Sequence, residues 1–194
     1  WTDMPVTASS ATSTLMSYTA QMDGNPMLTV YAESGGSGGI QNSAVGVGTS
    51  TPLARFSVQG AAGANALVDF ASSTGSSLFR VTAAGNLVQG GSTITSGVNS
   101  AALAGGSITG YNSNSFAVAG GIVSANYSTY ERNVSIGGGS NIQSGHTQTA
   151  IQAIISGNGS YNTAIGNASK IDGANPAYAI AIGAGDGTGA AITA

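Results

Sequence analysis

A short apolar step closed by glycine returns about every 15 to 17 residues through the second half of the chain. It reads AALAGG at 101–106, FAVAGG at 116–121, NVSIGGG at 133–139, QAIISGNG at 152–159, YNTAIGN at 161–167 and AIAIGAG at 179–185. The residues before each glycine are Ala104, Ala119, Ile136, Ser156, Ile165 and Ile182, and in the short fourth unit the glycine falls one place late. A repeat of fewer than about 20 residues marks a β-solenoid or β-roll. Each turn then supplies a strand of two or three residues and two glycine-bearing corners. Stacked turns pair one another's backbone amides. On this reading Ile165 and Ile182 are successive inward steps, Gly166 and Gly183 let the chain turn, and Lys170, Asp172 and Tyr178 lie on the connection between them.

The side chains available to such a coil are small. Aromatics are 6% of the chain, and the 41% hydrophobic fraction leans on alanine. A thin coil with so little apolar mass hardly offsets about 1–2 kcal/mol of backbone entropy per residue. Three copies around an axis would bury the isoleucine edges against each other and cover exposed strands. A homotrimer is therefore expected.

Upstream the pattern changes. Residues 51–100 read as a meander of short strands, at Arg55–Gln59, Ala66–Phe70, Leu78–Val81 and Leu87–Val88, with glycine at the corners. Residues 1–50 are the least regular and are assigned to docking or linking. Met27–Tyr31 reads as a strand after a turn at Asp23–Pro26, Ala11–Met22 as a helical turn or two, and GGSGG at 35–39 as a flexible joint or wide loop. The repeat region, 101–194, ends in mid-pattern, and the chain begins at Trp1 without Met. A processed chain or a piece of a longer one is expected.

Charge narrows the partners. Charged residues are 6% of the chain, against about 25% in average domains. Arg55, Arg80, Arg132 and Lys170 are the only basic side chains apart from His146, and the net charge is −3. They form no basic stripe of the kind that binds nucleic acid. There is no Cys, hence no thiolate metal site. No apolar run is long enough for a membrane-spanning helix.

Chemistry-bearing groups are sparse. His146, the one histidine, sits in a Gly/Ser corner, and the acids Asp3, Asp23, Glu33, Asp69, Glu131, Asp172 and Asp186 are far apart in sequence. No catalytic, metal or cofactor residue is assigned. GAGDG at 183–187 lacks the Lys-Ser/Thr of a phosphate loop and the several acids of a calcium loop. Tyr111, Tyr127, Tyr130, Tyr161 and Tyr178 recur between repeats. Exposed tyrosines among Asn and Ser suit stacking on sugars, so these five are the candidate receptor contacts.

Two resemblances add to this. The units at 163–169, 179–183 and 133–137 resemble the head repeats of trimeric autotransporter adhesins and similar β-rolls of phage fibres, with Ala in place of Ile in the first two units. VGVGTSTPLARFSVQG (45–60) and NALVDFASSTGSSLFRVTAAGNLVQGG (65–91) resemble a segment common in bacteriophage tail fibres. That resemblance implies an intertwined trimeric β-shaft. The expectation is an all-β, elongated, fibrous homotrimer: a hairpin shaft followed by β-roll or β-solenoid repeats. Its expected function is structural and adhesive, as a tail-fibre segment on a virion that contacts other tail proteins and a host surface glycan or protein. Alternatives are a subunit of a cell-surface adhesin or extracellular filament, and a spike that depolymerises surface polysaccharide. No enzyme activity, cofactor or membrane insertion is expected.

Overall fold

The computed structural model describes residues 12–61, 63, 66–110, 114–124, 132–143, 147–156, 159–167, 169–173, 178–183 and 191–193, with backbone only at 12–14 and 192–193. The fold is all-β, and no helix occurs among these residues. The chain divides into two compact units, Trp1–Leu67 and Val68–Ala194.

The first unit is one four-stranded sheet in the order β1 (Thr12–Met22), β2 (Asn25–Gly35), β3 (Ile40–Val47) and β4 (Phe56–Val58). Where one or two helical turns are expected, Thr12–Met22 is a strand. Ser and Thr are poor helix formers, and β2 supplies a long antiparallel partner, with Thr19 facing Thr29 and Tyr18 facing Val30. The β1–β2 turn is two residues, Asp23 and Gly24, both with positive φ (48° and 78°). That is the turn whose twist suits a hairpin. GGSGG is a loop: it closes the β2–β3 hairpin, Gly35 N–H donating to the Gly39 carbonyl at 2.8 Å. β4 then pairs parallel to β3, and the connection folds back over the sheet. A Cβ on Gly46 would lie 2.7 Å from the Thr49 carbonyl oxygen, so glycine is required at that crossing.

In the second unit, β5 (Ala66–Ala71), β6 (Ser77–Thr82) and β7 (Leu87–Gln89) lie side by side, with β6 and β7 antiparallel. β7 is also the first rung of a β-solenoid. Its partner on the opposite sheet is β8 (Thr93–Ile94). The following turns are β9 (Ala101–Leu103) with β10 (Ser107–Ile108), β11 (Phe116–Val118) with β12 (Ile122–Val123), and β13 (Val134–Ile136) with β14 (Asn141–Ile142). Then come β15 (Thr149–Ile151) with β16 (Ile154–Ile155), β17 (Thr163–Ile165) with β18 (Lys170–Asp172), and β19 (Ile180–Ile182) with β20 (Ala191–Thr193). Odd strands stack parallel in one sheet and even strands in the other.

The core reverses the expected facing. Only the middle residue of each three-residue rung points inward, because successive side chains alternate. Ala102, Ala117, Ser135, Ala150, Ala164 and Ala181 form that inner column and are buried. Facing them is a column of larger buried side chains, Ile108, Val123, Ile142, Ile155 and Ile171. Alanine against isoleucine fills a narrow coil without a third layer. Ile165 and Ile182 therefore point outward, at 36% and 67% exposure, not inward as successive steps of the coil. The repeat register also differs from the sequence alignment. Leu103 and Val118 align with Ile136, Ile151, Ile165 and Ile182, so the first two units do not replace Ile with Ala. The fourth unit is Thr149–Ile151 on the first sheet, and its displaced glycine belonged to the wrong strand. The corners are not uniformly glycine either: Ala104, Ala119 and Gln152 take φ of 49°, 53° and 48° where Gly137 and Gly166 stand in other turns.

Candidate functional site

A second corner of the coil, two residues ahead of every odd solenoid strand but β13, also has left-handed backbone. Gly85, Asn99, Asn114, Thr147, Tyr161 and Tyr178 occupy it, with φ between 53° and 76°. Gly and Asn suit this conformation, whereas bulky residues enter it at a cost. The last two positions carry tyrosine nonetheless. Stacking of the turns brings them together: the rings lie 5.1 Å apart and within 9° of parallel. Both are exposed, Tyr161 at 55% and Tyr178 at 78%.

The platform is held from beneath by a column of buried polar residues one place further along the chain. Asn86, Ser100, Ser115, Asn133, Gln148 and Asn162 are each 5% exposed or less. Three of them accept from the backbone of the next turn: Ser100 N–H donates to Asn86 Oδ1 at 2.9 Å, Ser115 N–H to Ser100 Oγ at 3.1 Å, and Gln148 N–H to Asn133 Oδ1 at 3.0 Å, while Gln148 Nε2 donates to the Gly159 carbonyl at 2.8 Å. Asn162, directly after Tyr161, accepts from Ala179, directly after Tyr178, at 3.0 Å. Tyr178 N–H also donates to the Ser160 carbonyl at 3.1 Å. Two fixed backbones thus present two parallel rings, a flat apolar surface of the sort that stacks on a sugar or aromatic face.

Of the five candidate tyrosines, Tyr161 and Tyr178 are brought together in this way, while Tyr111, Tyr127 and Tyr130 lie outside the described residues, as do His146 and Asp186. Lys170 and Asp172 are not on a connection but at the two ends of β18. Lys170 Nζ and Asp172 Oδ2 are 2.7 Å apart, both groups partly exposed. Lys170, then Ser156 Oγ and Gly173 N–H, hold the Asp172 carboxyl below the usual carboxylate range. Among the described residues no three His, Cys, Asp or Glu side chains gather as a metal site. No family model, curated protein or solved structure matches the chain.

The sequence reading missed a polar cleft in the first unit. A bulge in β3, where Tyr31 pairs with Ala44 but Glu33 with Gln41, puts Asn42 in left-handed backbone at φ 48°. There Asn42 Nδ2 donates to Glu33 Oε2 at 2.8 Å, and the Tyr31 hydroxyl donates to Glu33 Oε1 at 2.5 Å. Turn residues at 35–42 gave no sign of this, since the bulge depends on pairing.

Proposed function

We propose that this chain is a segment of a trimeric adhesive fibre, of the kind that forms a phage tail fibre, and that it serves multivalent attachment to a host surface. One observation carries the reading: the first unit leaves an apolar sheet face bare. Tyr18, Val30, Val45 and Phe56 form one row across all four strands, and they are exposed at 58%, 45%, 37% and 62%. Leu28 and Val47 extend the patch in the next row. No apolar side chain of this unit is buried among the described residues. A small sheet without a core needs a cover for its apolar face.

A further uncharged surface supports the same reading. The outward column Leu103, Val118, Ile136, Ile151, Ile165 and Ile182 runs up one sheet of the solenoid. Assembly of three copies would cover such a surface in each unit. The tyrosine platform, repeated in each copy, would give attachment by avidity from weak contacts to a host glycan or protein. The fibre would sit on a virion tail, joined to neighbouring tail proteins. Sedimentation equilibrium tests the assembly, with the expected mass three times the 18.7 kDa of one chain. A stable monomer overturns it.

A filament or surface-adhesin subunit is the second reading, favoured by β1. This eleven-residue strand is at the edge of its sheet and invites an added strand from a neighbour. An open polymer of growing mass in the same experiment decides for it.

A further inference from the structure

The first unit holds a cleft of about 430 Å³ lined by Tyr31, Glu33, Asn42, Pro52, Leu53 and Arg55, among others. We propose that this cleft is a sugar-binding site that takes one hexose unit of a glycan. It belongs to a single chain and stands whether or not the chain trimerises.

The cleft is built before any ligand arrives. Glu33 is fixed at both carboxylate oxygens by the Tyr31 hydroxyl and the Asn42 amide, and each oxygen keeps a free lone pair. The hydrogen bond from Tyr31, and after it that from Asn42, keeps Glu33 ionised to below the usual range, and the same bond raises Tyr31, which stays a donor. Arg55 lies on the same cleft, and its backbone is pinned, the carbonyl accepting from Val45 N–H at 2.8 Å. Its guanidinium makes no ion pair with Glu33 or with any other described residue. The cleft therefore presents an unneutralised carboxylate and an unneutralised guanidinium, together with an amide. At the rim Leu53 is fully exposed beside Pro52.

That combination matches a pyranose better than a simple ion. Adjacent ring hydroxyls both donate and accept, so one serves Glu33 while its neighbour serves Arg55. The apolar C–H face is suited to Leu53 and Pro52. A lone anion would meet Glu33, and a lone cation would meet Arg55. Asn42 takes the left-handed backbone that the bulge requires, and there its amide orients the carboxylate. On β2, Tyr31 and Glu33 alternate with Val30, so their side chains leave the sheet on the face opposite the bare apolar row.

Saturation-transfer NMR on the full chain tests this, with the methyl glycosides of glucose, galactose, mannose and N-acetylglucosamine as probes. At least one is expected to receive saturation. Arg55→Ala and Glu33→Gln are each expected to weaken binding tenfold or more with unchanged circular dichroism, and Asp69→Asn, at an exposed position of the second unit, is expected to leave it intact. Arg55 is exposed, so its replacement tests the cleft without threatening the fold. The proposal is overturned if none of the four glycosides receives saturation, if saturation survives both cleft substitutions, or if Asp69→Asn alone abolishes it. It is equally overturned if free alanine, a zwitterion, binds in the cleft and the sugars do not.

Discussion

Tyr161 and Tyr178 stack within 9° of parallel from a backbone that disfavours both. The stack contributes about 0.5–1.5 kcal/mol, and left-handed backbone costs a residue with a Cβ about 1–2 kcal/mol. These nearly cancel, so the pair adds little to stability. The order among substitutions separates the two effects. Tyr178→Ala loses the ring and keeps the strain, and is expected to cost about 1 kcal/mol. Tyr178→Gly loses the ring and relieves the strain, and is expected within about 0.5 kcal/mol of the wild type. Urea midpoints check this; an alanine variant more stable than the glycine variant would show that strain is not the opposing term.

Inward and outward isoleucines are expected to behave differently. Ile142 is fully buried, and Ile142→Ala should cost about 2–5 kcal/mol. Ile165 stands on the outer column, and Ile165→Ser in an isolated chain should cost no more than about 0.5 kcal/mol. In the proposed trimer the same change puts a hydroxyl into a covered apolar seam. Sedimentation should then show a shift toward lower mass while denaturation of the monomer is unmoved. Equal thermal losses in both variants would contradict the assigned facing.

The period, the strand class and the solenoid were legible because a coil this narrow needs a small residue at the same place in every turn. The facing was not legible from residue size. In Thr163-Ala164-Ile165 the larger side chain suggests the core, yet strand alternation puts the middle residue inside and Ile165 outside. The true apolar column, Ile108, Val123, Ile142, Ile155 and Ile171, was hidden by uneven spacing. It follows the inner alanine closely from Ala150 to Ile155 and at greater distance from Ala164 to Ile171. The tyrosines were singled out as exposed aromatics, but their contact joins residues of successive turns and depends on stacking register. The Glu33 cleft rests on a bulge, and a bulge is a property of two strands.

Acid should act on the solenoid through Asp172. Lys170 most, then Ser156 and Gly173, hold its carboxyl below the usual range in the folded chain. A lowered folded value means the contribution is complete above the unfolded value of about 4. It is lost as pH falls below that and through the folded value. Asp172→Asn is therefore expected to lower the urea midpoint near pH 6 and to converge with the wild type toward pH 3. A gap that persists unchanged at pH 3 would show that the carboxylate charge is not what matters. High salt should narrow the gap at pH 6, since the pair is partly exposed.

Ser135 is the exception in the inner column. Ala102, Ala117, Ala150, Ala164 and Ala181 fill the equivalent place in other turns, while Ser135 is fully buried and its hydroxyl has no hydrogen-bond partner. A buried hydroxyl without a partner loses its water and gains nothing, at a cost of about 1–3 kcal/mol. Alanine differs from serine there by that oxygen alone, and neighbouring turns show that the coil closes around it. Ser135→Ala is thus expected to stabilise the solenoid by about 1 kcal/mol, read as a higher urea midpoint with an unchanged slope. The paired change Ala150→Ser, one turn on in the same column, should destabilise by a similar amount. If Ser135→Ala destabilises instead, the hydroxyl has a partner, and the column is not the apolar seam described above.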